Sequence, residues 1–166
     1  GFMSYANCGL PYYVGGVIKE EDALTLQSPE SFWARFRAEV RLHHEVTRID
    51  TQKKTVTVRH TQTGKVSEER YDKLVLSPGA RPAKPALPGL DNDRIFTLRT
   101  VEDALKIRQF LETEKPRTAA VIGGGFIGIE MAENLTEAGL KVTLVETADH
   151  LLAPFDFDMA CTVHAQ

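Results

Sequence analysis

The stretch SYANCGLPYY, residues 4–13, places a lone cysteine between small polar residues and a Leu-Pro-aromatic turn. Cysteine is often a small buried hydrophobe, which is the alternative interpretation of Cys8. Its neighbours Ser4, Asn7 and Gly9 favour a bent backbone and offer hydrogen bonds. A polar turn of this kind can expose a thiol and stabilise its thiolate, which is the nucleophilic form. The stretch therefore indicates a redox or nucleophilic site.

A second stretch with chemical meaning is GGGFIG, residues 123–128, which matches the pattern GxGxxG. The pattern alone is weak, but its context strengthens it. An apolar strand is predicted over 119–122 and a helix over 126–138, and Glu146 ends the next predicted strand. This order of strand, glycine turn, helix, strand and acid predicts a dinucleotide-binding βαβ unit.

Each residue type in this unit has a physical role in binding a dinucleotide. Gly123 permits the tight turn, Gly125 lets a pyrophosphate approach the backbone, and Gly128 lets the helix pack closely on the strand. The helix N-terminus then faces the anion. Glu146 can accept hydrogen bonds from a ribose and would repel a 2′-phosphate, which predicts NAD over NADP. The alternative is a glycine turn that serves only helix–strand packing.

Composition and charge argue against several other classes of function. The chain has 166 residues, 42% hydrophobic and 26% charged, with a net charge of -3. This is enough apolar material for one or two domains. Without a basic cluster or an apolar run of roughly 20 residues, we expect no nucleic-acid partner and no membrane span. Cys8 and Cys161 lack metal-ligand spacing, so we expect no metal site, and a cytoplasmic location fits best.

The first half of the chain alternates between short elements and turns. The stretch SPESFWARF predicts a short helix capped by its first serine, with its two phenylalanines one turn apart. Two β-favouring hairpins predict an antiparallel meander over 45–70. The apolar run 74–76 predicts a buried strand that ends in the turn 77–79, and the proline-rich stretch 81–93 predicts a connector.

A second helix is predicted just before the dinucleotide-binding unit. Thr100 and Asp103 resemble a capping box, apolar residues follow at helical spacing, and Lys115-Pro116 ends the helix. Helices and strands thus alternate in the second half of the chain. We predict the α/β fold class.

Four stretches together carry a resemblance to a known family: SYANCGLPYYVGG, KLVLSPGA, FTLRTVEDA and VIGGGFIGIEMAE. In this order and spacing they resemble the flavin-dependent pyridine nucleotide-disulfide oxidoreductases, most of all the branch of coenzyme A-disulfide reductases and NADH-dependent persulfide reductases. The resemblance implies parts of two Rossmann-like FAD/NAD(P)-binding domains, with the antiparallel β-meander in the first. The implied domains are a partial FAD-binding domain with the redox cysteine loop over 1–100, and the first half of an NAD-binding domain over 101–166.

The resemblance also implies roles for individual residues. Cys8 is the implied redox-active thiol beside the flavin, and Ser4 and Asn7 are its implied coenzyme A-contacting neighbours. The implied flavin contacts are Val46, Ser77, Pro78, Gly79, Ala80 and Arg99. The implied nicotinamide-nucleotide contacts are Gly123, Gly125, Phe126, Ile127, Gly128, Glu130 and Glu146. Among these, Phe126 would shield the nicotinamide pocket and Glu130 would lie near the carboxamide.

We therefore expect an FAD- and NADH-dependent oxidoreductase that reduces coenzyme A disulfide, or a coenzyme A persulfide or polysulfide, through a single cysteine. An NADH oxidase or peroxidase of the same family is the alternative. The family implies a homodimer, and also a first glycine fingerprint, a second flavin segment and a dimerisation domain that this chain does not contain. We expect an internal part of a longer protein, which by itself is either inactive or a catalytically silent nucleotide-binding module.

Overall fold

A computed structural model describes residues 2–165. Within them the helices are α1 Leu10–Val14, α2 Pro29–Phe36, α3 Val101–Glu114, α4 Phe126–Glu137 and α5 Phe157–His164. The strands are β1 Ser4–Tyr5, β2 Thr25–Gln27, β3 His44–Asp50, β4 Thr55–His60, β5 Val66–Arg70, β6 Thr118–Ile122 and β7 Lys141–Val145. β1 pairs with β2, β4 lies between β3 and β5, and β6 pairs with β7. The chain forms two compact units, residues 2–4 with Gln27–Arg81, and Tyr5–Leu26 with 82–165.

The first unit is built on the antiparallel meander that the sequence predicts. Thr55 of β4 lies opposite Asp50 of β3 on one side and opposite Arg70 of β5 on the other. Thr55 and Val58 of this central strand are buried, whereas most of β3 is exposed. Because Thr55 and Val58 are three positions apart, their side chains lie on opposite faces of β4, and each face of this central strand is covered in part.

The predicted helix of the first unit is also confirmed. Ser28 caps α2, and its hydroxyl and that of Ser31 exchange hydrogen bonds with each other's backbone N–H groups. Phe32 and Phe36 lie one turn apart, with ring centroids separated by 4.7 Å. α2 ends where Arg37 adopts the left-handed conformation, with a φ of 53°.

The prediction of a buried strand over 74–76 is wrong. Val75 is 86% exposed and Leu76 is 67% exposed, and among residues 2–165 no strand pairs with this run. An apolar run forms a buried strand only where a neighbour accepts its backbone hydrogen bonds and a second layer covers its side chains. Neither is present in the described chain, so the run is irregular and continues into the predicted connector.

The second unit contains the predicted βαβ arrangement. β6 and β7 are parallel, with Ile122 opposite Val145, and α4 connects them. Met131 and Leu135 are the buried residues on the apolar face of α4. The chain turns after α4 at Gly139, whose φ is +93°. The α/β fold class, with an antiparallel meander preceding a parallel unit, is therefore confirmed.

One core in this unit joins the helix after Cys8 to the other helices. α3 begins at the predicted capping box of Thr100, and its buried face includes Val101 and Ala104. α1 packs against both α3 and α4, and its Leu10 and Val14 are buried. Burial of these apolar side chains stabilises the position of α1.

The structure also bears on the expected classes of site. None of the helices within residues 2–165 is both long and apolar enough to cross a membrane. The same residues contain no group of three or more His, Cys, Asp or Glu arranged to hold a metal ion. The assignment of 1–100 and 101–166 to two cofactor domains stays a prediction.

Candidate functional site

Cys8 lies in a single 3-10 turn, Asn7–Gly9, that leads directly into α1. Its thiol is free and exposed. The backbone secures the turn, since the Ala6 N–H donates to the Leu24 carbonyl and the Gly9 N–H donates to the Ala6 carbonyl, each at 2.9 Å. Space is tight at Gly9, where an added Cβ would lie 3.2 Å from Ala6 Cβ. The polar turn therefore presents the thiol at the surface on a well-defined backbone.

The residue before this thiol is bound by the start of α3. Arg99 Nη1 donates a 2.7 Å hydrogen bond to Asn7 Oδ1. The backbone N–H of Arg99 donates to Asp103 Oδ2 at 3.0 Å, the carboxylate that also caps α3. A hydrogen bond from a guanidinium is charge-assisted and stronger than one between neutral groups. The FTLRTVEDA stretch thus contacts the SYANC stretch, a pairing that no sequence pattern indicates.

The glycine turn has a backbone that its glycines require. Gly123 has a φ of +104° and its N–H donates to the Val145 carbonyl at 2.8 Å. A Cβ on Gly128 would lie 1.9 Å from the Gly123 carbonyl oxygen, so no side chain fits between α4 and the turn. A Cβ on Gly125 would meet no described atom within 4 Å, so a ligand can approach the backbone there. This geometry is compatible with an anion bound at the N-terminus of α4.

Glu146, directly after β7, contacts the same turn. Its Oε2 accepts a 2.5 Å hydrogen bond from the Gly124 N–H. Its Oε1 accepts from the N–H groups of Thr147 at 2.6 Å and Ala148 at 2.8 Å. The backbone donors, first that of Ala148 and then that of Gly124, lower the pKa of Glu146 to about 2. The carboxylate is therefore ionised at neutral pH.

The loop after β7 folds back onto the glycine turn. The Leu152 N–H donates to the Gly124 carbonyl at 2.8 Å. The Leu151 side chain lies so close that a Cβ on Gly124 would be 2.5 Å from its Cδ2. Phe155 meets Phe126 edge to face, with ring centroids 5.8 Å apart. No sequence pattern indicates these contacts, because Leu151, Leu152 and Phe155 belong to no motif.

The residues implied to lie near the nicotinamide are exposed at the start of α4. Phe126 is 59% exposed, Ile127 is 54% exposed, and Ile122 at the end of β6 is 74% exposed. Glu130 follows one turn further along α4 and is half-buried. Ligands of open α/β sheets bind beyond the carboxyl ends of the strands, which is where Ile122 and Phe126 lie. This apolar surface offers a flat ring a place to pack.

The residues that the resemblance assigns to flavin occur in both units. Val46 is an exposed residue of β3. Residues 77–80 form exposed, irregular backbone in which Gly79 has a φ of +73°. Arg99 belongs to the second unit, and Ser4, the other implied substrate contact, is a half-buried residue of β1. Their ligand contacts stay predictions.

Comparison with known proteins agrees with this arrangement. Residues 1–166 match the family described as pyridine nucleotide-disulphide oxidoreductase. A coenzyme A disulfide reductase of Staphylococcus aureus (strain JH9) is 41% identical over 157 residues, 95% of this chain and 35% of that protein. Reduced CoADR-RHD of Bacillus anthracis matches with a TM-score of 0.92 and 47% identity, over 99% of this chain and 30% of that chain. A NAD-dependent persulfide reductase from A. fulgidus matches with a TM-score of 0.89 and 36% identity, over 99% and 31%.

The chain spans about a third of the length of these relatives. Within the chain, the family match extends over every residue. The match therefore includes both the Asn7–Gly9 turn, which carries Cys8, and the glycine turn. The chain belongs to the pyridine nucleotide-disulphide oxidoreductase family.

Proposed function

We propose that the protein is an FAD- and NADH-dependent disulfide oxidoreductase that reduces coenzyme A disulfide, or a coenzyme A persulfide or polysulfide, through Cys8. One observation supports this most. The exposed Cys8 lies directly before α1, and α1 packs against α4, the helix that begins at the glycine turn. The helix that follows the exposed thiol and the helix that follows the glycine turn thus pack against each other. The substrate class is supported by the similarity to a coenzyme A disulfide reductase and a persulfide reductase.

Cys8 supplies the nucleophile in this reaction. Its thiolate attacks one sulfur of the substrate, so a bond forms between Cys8 Sγ and that sulfur. The substrate's S–S bond breaks at the same time, and the second sulfur leaves as a thiolate and takes a proton. Two electrons and one proton then break the mixed disulfide, which restores the Cys8 thiolate and releases the second thiol. NADH and FAD, when bound, supply the two electrons.

The residues of the glycine turn fit a dinucleotide. The open space at Gly125 admits a pyrophosphate to the first N–H groups of α4, which carry a partial positive charge. The ionised Glu146 would accept a hydrogen bond from a ribose hydroxyl and would repel a 2′-phosphate, so NADH is the preferred hydride donor. Phe126 and Ile127 cover the nicotinamide, and Glu130 lies near its carboxamide.

The remaining assignments concern the other ligands and the setting. Ser4 and Asn7 contact the coenzyme A substrate, while Val46, residues 77–80 and Arg99 contact the flavin. The partner is a small-molecule disulfide or persulfide. The protein acts as a homodimer in the cytoplasm, where two isolated free cysteines remain reduced.

The proposal is tested by NADH oxidation with protein expressed from the complete gene. Coenzyme A disulfide, a coenzyme A persulfide, oxygen and hydrogen peroxide are compared as acceptors, and the bound flavin is measured by its absorbance. We expect bound flavin and the fastest turnover with a disulfide or persulfide. Faster turnover with oxygen or peroxide would identify an oxidase or peroxidase, and nucleotide binding without turnover would identify a silent module. Size-exclusion chromatography reports the oligomeric state.

A further inference from the structure

The hydroxyl of Tyr5 lies in a hydrogen-bond network that reaches the residue next to Cys8. It donates to the backbone carbonyl of Arg99 at 3.1 Å, and Arg99 Nη1 lies 3.4 Å from the same hydroxyl. That same Nη1 donates to Asn7 Oδ1 at 2.7 Å. We propose that Tyr5 is a positioning residue that acts through Arg99 to orient the Asn7 side chain beside Cys8. The proposal rests on the proposed function in taking Cys8 as the redox thiol.

The backbone N–H of Arg99 is held by Asp103, outside this network. Asp103 Oδ2 accepts hydrogen bonds from the Arg99 N–H at 3.0 Å and from the Thr100 N–H at 2.9 Å. The Asp103 N–H in turn donates to the Thr100 hydroxyl at 3.2 Å. The long Arg99 side chain still has several rotamers, and ordering it costs conformational entropy. Hydrogen bonds at its far end select one rotamer, and those bonds lead to Tyr5 and Asn7.

Tyr5 suits this position because a phenol hydroxyl both donates and accepts. It donates to the Arg99 carbonyl, and its oxygen faces the Arg99 guanidinium, which has only donors. The hydroxyl is partly buried, so water is a poorer substitute for it than at an exposed site. A phenylalanine at this position keeps the ring and removes only these two interactions.

The network also decides which end of the Asn7 amide is available. An amide presents one acceptor oxygen and one donor nitrogen, and a guanidinium bonds only the oxygen. Because Arg99 takes Oδ1, the two N–H bonds of Nδ2 are left for a ligand at the exposed turn that carries Cys8. Donors in this place match the acceptor groups of a substrate, including the leaving thiolate sulfur. We therefore expect Tyr5 to affect the binding of the sulfur substrate and not the binding of NADH.

The test is a double-mutant cycle in protein expressed from the complete gene, with Tyr5→Phe, Asn7→Ala and the combination. Loss of about one hydrogen bond predicts a rise of roughly three- to tenfold in the KM for coenzyme A disulfide in Tyr5→Phe, with the KM for NADH unchanged. Asn7→Ala raises the same KM, and adding Tyr5→Phe to it raises the KM for coenzyme A disulfide no further, because Tyr5 and Arg99 affect this substrate only through Asn7. Tyr12→Phe, which removes a hydroxyl from α1 outside the network, serves as the matched control and leaves both KM values unchanged. The proposal would be overturned if Tyr5→Phe raised the KM for coenzyme A disulfide by the same factor in wild type and in Asn7→Ala. It would also be overturned if Tyr5→Phe raised the KM for NADH equally.

Hydrogen exchange keeps the two proposals separable, because it requires no turnover. We expect amide exchange in a peptide covering the Asn7–Gly9 turn to be about threefold faster or more in Tyr5→Phe. Asn7→Ala should give the same increase in rate, and the double variant should exchange no faster than either single variant. We expect the amide exchange rate within α4 to equal that of wild type, which would exclude general unfolding as the cause. Unchanged exchange at the turn would overturn the positioning role even in an active reductase. Inactive wild-type protein with the expected exchange pattern would refute the proposed function and leave the network intact.

Discussion

The Gly124 N–H donates a 2.5 Å hydrogen bond to Glu146 Oε2, which joins the glycine turn to the end of β7. The other carboxylate oxygen accepts from the Thr147 and Ala148 N–H groups and from the Thr147 hydroxyl. Each carboxylate oxygen has about two acceptor sites, so Oε1 is fully used and Oε2 has one left. Glu146 therefore contributes to the shape of the turn and still has one site for a ribose hydroxyl.

The first prediction concerns acid stability. A carboxyl whose pKa is lowered from 4.5 to about 2 in the folded state stabilises that state fully above pH 4.5 and loses this contribution as the pH falls towards 2. We expect wild type to melt at a higher temperature than Glu146→Gln at neutral pH, with the difference shrinking between pH 4.5 and about 2. Thermal unfolding, monitored by circular dichroism at several pH values, measures this difference in melting temperature. Glu133→Gln, at an exposed site on α4, controls for loss of one charge.

The same comparison has a clear contrary outcome. If the difference in melting temperature between wild type and Glu146→Gln stayed constant down to the lowest pH, the ionised carboxylate would have no role in securing the turn.

A second prediction concerns the choice of nucleotide. Glu146→Ser removes the charge that disfavours a 2′-phosphate and the acceptor for a ribose hydroxyl. The ratio of kcat/KM for NADH to that for NADPH should fall on the order of tenfold, the factor that corresponds to about one lost hydrogen bond. Steady-state kinetics with both nucleotides measures the ratio. An unchanged ratio would exclude Glu146 as the residue that selects NADH.

Two glycines of the turn provide a matched pair for a third prediction. In Gly128→Ala the new Cβ would lie 1.9 Å from the Gly123 carbonyl oxygen, so we expect a loss of about 3 kcal/mol or more in the free energy of unfolding. In Gly125→Ala the Cβ meets no described atom within 4 Å, and the φ of -80° suits alanine. That variant should fold normally and bind NADH weakly, because its methyl group occupies the approach of the pyrophosphate.

Denaturant unfolding and NADH titration of both variants separate packing from binding. Normal NADH affinity in Gly125→Ala would contradict the assignment of this turn to the pyrophosphate, whatever the result for Gly128→Ala.

The features that could be predicted from sequence are those with local causes. The serine cap of α2 at Ser28 and the capping box of α3 at Thr100 depend on residues within one helical turn. The βαβ unit depends on glycine spacing and on one acid, Glu146. The caps are made by hydrogen bonds within one turn, and the spacing of the βαβ unit is contained in one continuous stretch of the chain. Such signals are fully contained in the sequence.

The features that could not be predicted depend on distant neighbours. Arg99 and Asn7 are 92 positions apart, and neither residue type specifies the other as a partner. The contact of Leu152 with Gly124 requires a φ of +53° at a leucine, which no sequence pattern indicates. The run 74–76 has the composition of a buried strand, but whether it becomes one depends on a second strand. Tertiary contacts decide these three cases.

The last prediction concerns the thiol itself. Cys8 and Cys161 are both free, but Cys8 is exposed in a polar turn whereas Cys161 is half-buried on α5. Cys8→Ser keeps the size of the side chain and replaces the thiolate with a hydroxyl that remains protonated, so it cannot attack a disulfide sulfur. We expect loss of nearly all disulfide-dependent NADH oxidation in Cys8→Ser, with nucleotide affinity retained, and near wild-type turnover in Cys161→Ser. Activity of Cys8→Ser close to wild type would remove the single-cysteine mechanism, because no other thiol of this chain lies in the turn that leads into α1.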